Sequence, residues 1–97
     1  MALAQDPKLD ALFDAILSLK NREEAYAFFD DVCTIKEVND MADRLEVARL
    51  LLMGITYEQI EKQTGMSSAT ISRVNRCIQY GPGGYKLAVS RQKKIKK

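Results

Sequence analysis

A single glycine, Gly65, stands between two short helical patterns and sets how the chain must turn there. Before it, Thr56-Tyr57-Glu58-Gln59 forms a capping box that opens one helix. After it, Ser67 or Ser68 caps another helix through about Gln79. Glycine adopts the left-handed backbone that a tight turn between helices demands. Apolar residues sit at fixed separations around it: Ile60 before, Met66 beside, then Ile71 and Val74. Those four are the small core that holds two helices at a steep angle, so the spacing predicts a helix-turn-helix over about residues 57–78. Glu61 occupies a crossing position where a small residue is usual, and is expected to point sideways and pair with a nearby Arg or Lys.

The remaining pattern is helical throughout. Asp6-Pro7 supplies an N-cap and a first-turn proline. Leu9, Leu12, Phe13, Ile16 and Leu17 then recur at helical spacing. Asn21, with Glu24 after it, caps a shorter helix carrying Ala25, Phe28, Phe29 and Val32. Thr34-Ile35-Lys36-Glu37 opens a third, with an apolar face of Val38, Met41, Ala42, Leu45, Ala48 and Leu52, broadened by Leu51, and Gly54 as its stop. Gly81-Pro82-Gly83-Gly84 reads as a loop, Tyr85–Ser90 as one or two more turns, and Arg91–Lys97 as a mobile basic tail. No alternating run argues for a strand. The expected fold is all-α, with about five to six short helices in a single domain over residues 1–90 and a basic tail over 91–97. The aromatic stripes of the first two helices serve either the monomer's own core or a dimer interface, since short helices in a 97-residue chain bury little alone.

Charge is sharply segregated. Residues 1–61 carry six basic and all 13 acidic residues, a net of −7; residues 62–97 carry nine basic residues and no acid, a net of +9. Polyanions respond to local potential and not to the whole-chain charge of +2. The acid-free end overlaps the helix-turn-helix. Outward positions on its second helix are mostly short and polar, which suits close approach to a groove. Lys62, Ser67, Ser68, Ala69, Thr70, Ser72, Arg73 and Arg76 are therefore the candidate DNA-binding residues. Hydroxyls donate to phosphates or base edges, and Arg pairs bidentately with guanine.

Other classes fare worse. The chain has no histidine, and Cys33 and Cys77 lie far apart, so zinc, a disulfide framework and acid–base catalysis find no support. Neither thiol has an activating motif, and the chain reads as a non-enzyme without cofactor. No stretch is apolar enough for a membrane span, and the N-terminus does not read as a signal peptide. Reduced thiols suit a cytoplasmic protein.

With these residues in view, the chain resembles the tryptophan repressor family, and within it the YerC/YecD-like branch of small bacterial proteins. Asp43-Arg44-Leu45 through Leu51-Leu52-Met53-Gly54 looks like the family's long third helix and its end, and Ser68-Ala69-Thr70-Ile71-Ser72-Arg73 like the start of its recognition helix. The resemblance implies a TrpR-like intertwined homodimer that controls transcription. It places a ligand-clamping arginine pair on Arg44 and Arg73, a helix-start threonine on Thr34, and a ligand-binding serine on Cys77. Val74 replaces the family's glycine beside the second arginine, adding bulk where an indole would lie. Cysteine at 77 is a weaker hydrogen-bonding group than serine. L-Tryptophan is therefore not the expected effector. Without a ligand, Arg44 has Asp40 or Asp43 as a helix-surface partner and Arg73 is a phosphate contact. Glu58 stands where the family has a basic residue early in its fourth helix, so a different operator is expected. Taken together, the residues point to a sequence-specific transcriptional regulator, a repressor, binding a palindromic site in double-stranded DNA as a dimer. The alternative is a helical protein-interaction module without DNA binding, which would have no need for an acid-free end.

Overall fold

The structure, a computed structural model, describes residues 3–95, with the backbone alone for 93–95. Six helices follow in order: α1 (Pro7–Leu17), α2 (Arg22–Val32), α3 (Ile35–Leu52), α4 (Tyr57–Thr64), α5 (Ser68–Tyr80) and α6 (Gly84–Ile95). No strand occurs among the described residues, and no helix among them is long and apolar enough to cross a membrane. The chain divides into two compact units, Met1–Asn39 and Asp40–Lys97.

In the first unit the helix starts follow the capping chemistry. The Asp6 carboxylate accepts from Lys8 N at 2.7 Å, and the Asn21 side chain accepts from Glu24 N at 2.8 Å. Thr34 and Glu37 close a reciprocal box: Glu37 N donates to Thr34 Oγ1 at 3.1 Å, and Thr34 N donates to Glu37 Oε1 at 2.8 Å. Phe28 and Phe29 meet edge to face, 5.3 Å between centroids. Yet neither α1 nor α2 buries a single residue. Leu17 is 80% exposed and Tyr26 74%. A solvent-open groove of about 690 Å³ runs past Ala25, Phe29, Cys33, Ile35 and Val38.

The second unit has a true core. Val47, Ala48 and Leu50 of α3, Ile60 of α4, and Ile71, Val74 and Ile78 of α5 are buried together, with Leu51, Leu52, Ile55, Met66 and Tyr85 half-buried against them. α3 ends in a Schellman closure: Ile55 N donates to Leu50 O at 3.1 Å and Gly54 N to Leu51 O at 3.0 Å, while Leu50 is buried in the core and Ile55 packs against that core.

Two expectations change here. The apolar stripe expected on α3 holds at Ala48, which is buried, and at Leu51 and Leu52, half-buried against the core, but Met41 and Ala42 are exposed and Val47 and Leu50, which lie on another face, are buried instead. Met41 is 40% exposed. The C-terminal half of α3 is apolar nearly all round, so its spacing could not say which face meets α4 and α5. The last helix is also longer than the expected one or two turns. It runs from Gly84, inside the expected loop, to Ile95, because Tyr85 and Val89, one turn apart, pack against the protein, and Lys, Arg and Gln are good helix formers. Lys96 and Lys97, the end of the expected basic tail, lie outside the described residues.

Candidate nucleic-acid interface

The interface begins with the turn. α4 starts on Thr56, whose Oγ1 accepts from Gln59 N at 3.2 Å, and ends on Gly65 at φ +75°. Nothing lies within 4 Å of where a Cβ on Gly65 would stand, so the backbone angle alone demands glycine. Thr64 completes the corner: its hydroxyl donates to Ile60 O at 2.7 Å and accepts from Met66 N at 3.1 Å. Ser67 then caps α5, accepting from Thr70 N at 3.2 Å. Ile60, Ile71 and Val74 are at most 1% exposed, and Met66 is half-buried. The pairing of α4 with α5 is thus held by apolar contact plus one threonine. That threonine's role was not legible from spacing.

With Ile71, Val74 and Ile78 turned inward, the helical period turns Ala69, Ser72, Arg73, Arg76 and Tyr80 outward. Lys62, Ser67, Ser68, Ala69, Ser72, Arg73 and Arg76 are all exposed. Thr70 departs from expectation. It is half-buried, and its Oγ1 accepts from Ser67 Oγ at 3.2 Å, so it braces the helix start more than it faces solvent. Tyr80, 81% exposed, shares the outer stripe with Ala69, Arg73 and Arg76, and the four-, three- and four-residue steps between them were the signal that could have found it.

Electrostatics favour an anionic partner on this face. α5 carries no acid. Arg73, Arg76 and Lys62 engage no carboxylate among the described residues. Arg49 on α3 provides a contrast: it donates from Nε and Nη2 to the Glu46 carboxylate at 3.0 and 2.7 Å, a hydrogen bond that raises its pKa and commits its charge. Glu61 is exposed and forms no ion pair with a described residue, unlike the pairing expected for it.

The candidate ligand residues divide between the units. Thr34 lies in the first, its hydroxyl occupied by the α3 cap. Arg44, Arg73 and Cys77 lie in the second, all exposed. Arg44 pairs with neither Asp40 nor Asp43. Val74 is sealed in the core.

An all-helical chain with this corner and this charge defines a helix-turn-helix protein. The comparisons narrow it. A family described as "Trp repressor protein" matches residues 7–93. The uncharacterized protein YerC of Bacillus subtilis is 58% identical over 86 residues, covering 89% of this chain and 83% of that one. A solved TrpR-like protein from Eubacterium eligens superposes with a TM-score of 0.88 at 47% identity, covering 96% of both chains. A Staphylococcus aureus structure provisionally named a Trp repressor gives 0.87 at 48%, covering 92% of this chain and 89% of that one. The chain belongs to the Trp repressor family, a family of DNA-binding regulators.

Proposed function

We propose that this protein is a sequence-specific transcriptional repressor, working in the cytoplasm, that binds a palindromic operator in double-stranded DNA as a homodimer. Residues 1–90 act in it as one TrpR-like domain and 91–97 as its basic end. The observation that carries the reading is the outer face of α5, with its capping serines, small Ala69 and two uncommitted arginines in a 36-residue stretch without an acid. A helix start with free N–H groups and hydroxyls suits the major groove and its phosphates. Ser68, Ala69 and Ser72 lie where base edges are approached, Arg73 and Arg76 where guanine or phosphate is met, and Lys62 where the first helix crosses the backbone.

Dimerisation is supported by what one chain leaves uncovered. α1 and α2 bury nothing, and the Met41–Leu45 face of α3 is at best half-covered. An apolar surface of that kind marks an interface. Sedimentation equilibrium at micromolar concentration is expected to give twice the chain mass. Selection from random duplexes should then recover a two-fold symmetric site with half-site centres about 34 Å apart. A monomer throughout that range would overturn the dimer. No enriched sequence, and no binding to duplex DNA at low salt, would leave a protein-interaction corner in place of a DNA reader.

No response to L-tryptophan is expected. Val74, packed among Ile60, Ile71 and Val47, stands where the family has glycine, and Cys77 offers a weak hydrogen bond in place of a hydroxyl. Calorimetric titration showing micromolar binding of L-tryptophan would refute this. If another effector exists, Thr34, Arg44, Arg73 and Cys77 remain the polar groups to change first.

A further inference from the structure

The acid-free half of the chain does not end with α5. α6 packs against α5. On α6, Val89 is 3% exposed and Tyr85, one turn earlier, is half-buried. Lys86, Leu87, Ser90 and Arg91 are exposed. No acid occurs anywhere on α6, and Lys93, Lys94, Lys96 and Lys97 extend the positive run in the sequence. Like charges one turn apart weaken a helix, so an unrelieved run of cations works against the element that carries it. The N-terminal half of the chain, by contrast, interleaves its lysines and arginines with acids. The segregation is confined to the end that holds the reading helix.

We infer that α6 is a second DNA-contacting element, which grips the phosphate backbone beside the site read by α5 and carries no sequence preference of its own. The inference rests on the DNA-binding reading above. Charge selects the partner: α6 packs on α5, and its exposed Lys86 and Arg91 carry on the acid-free run of the helix that bears Arg73 and Arg76. Tyr80, at the end of α5, adds an exposed hydroxyl between the two elements in the chain. Phosphate contacts of this sort fix position and orientation, and sequence is read elsewhere. A membrane surface fits less well. An interfacial helix needs a broad apolar face for the lipid. The apolar side chains of Tyr85 and Val89 are turned into the protein, and of the large apolar residues described on α6, Leu87 alone is exposed, at 53%.

The test is the full chain with Lys86→Gln and Arg91→Gln together, titrated by fluorescence anisotropy across a range of NaCl. Two duplexes are used: one recovered by selection and one scrambled, of equal length. Affinity for both is expected to fall by the same factor, about tenfold at 0.15 M salt, and the salt slope to flatten by about 0.9 for each phosphate no longer neutralised. The ratio between the duplexes should not move, and thermal melting should match wild type, since both side chains are exposed. Unchanged affinity and slope would overturn the role of α6 and leave α5 as the reader. A loss confined to the selected duplex would also overturn it, because α6 would then be reading bases. Binding of phosphatidylglycerol vesicles that the substitutions abolish, with DNA binding intact, would assign α6 to a membrane instead. Wild-type protein that binds neither duplex at low salt would sink both readings.

Discussion

Ala69→Glu is expected to remove operator binding while leaving the protein at least as stable as wild type. Ala69 is exposed in the first turn of α5, on the outer stripe with Arg73 and Arg76. In the bound state the new carboxylate would face the groove and its phosphates. Like-charge juxtaposition at an interface costs several kcal/mol; roughly 3 kcal/mol corresponds to a hundredfold in affinity, and a dimer would suffer it twice. In the free protein the sign reverses. The first turn of α5 has no acid, and a negative charge there gains about 0.3–1 kcal/mol from the helix dipole. The two effects move in opposite directions, so misfolding cannot imitate the result. Mobility shifts and thermal melting by circular dichroism measure them separately. A folded variant that binds the operator as wild type does would mean that α5 is not the reading helix. Thr70→Glu is a poorer test, because Thr70 is half-buried and its hydroxyl accepts from Ser67 at the cap.

The legible parts of this molecule are those written in local chemistry. Asp6, Asn21, Thr34, Thr56 and Ser67 each mark a helix start by a side-chain oxygen that accepts a nearby backbone N–H. Gly65 marks the turn because few other residues take its backbone angle. Ile60, Ile71 and Val74 read as core because the corner leaves them nowhere else to go. What was hidden depends on neighbours distant in sequence. Two apolar faces of α3 compete, and only the presence of α4 and α5 decides that Val47 and Leu50 go inward. Residues 91–95 carry enough like charge to suggest a loose tail, but Val89 and Tyr85 anchor the helix from which they continue. Gly81 was legible as a loop residue from its Gly-Pro-Gly-Gly setting, and it ends α5, but the packing reason for glycine there was not. A Cβ there would stand 2.5 Å from Cys77 O, so it is crowding, and not an unusual backbone angle, that excludes a side chain.

Ile71→Ala is expected to cost the most stability of any single truncation on α5. Ile71 is fully buried and belongs to a core shared by α3, α4 and α5. Shortening a buried isoleucine to alanine costs about 2–5 kcal/mol, the higher figures arising where the surroundings cannot collapse into the space. Collapse is hard here. Ile60 and Val74 are themselves sealed, and the turn between the helices is fixed by Gly65 and by the two hydrogen bonds of Thr64. A domain of this size has only about 5–15 kcal/mol in total, so the loss consumes a large share of it. Urea titration at fixed protein concentration should show the midpoint falling with the slope nearly unchanged, since the surface exposed on unfolding is almost the same. Ile71→Val, which removes one methyl, should cost about 0.5–1.5 kcal/mol and keep DNA binding. The pair separates core from contact surface. If α5 is positioned by its buried side, affinity for DNA will track the fraction folded in both variants. An Ile71→Ala protein losing less than about 1 kcal/mol would mean that α5 is not seated on this core, and that the outer stripe through Ala69, Arg73 and Arg76 faces another way.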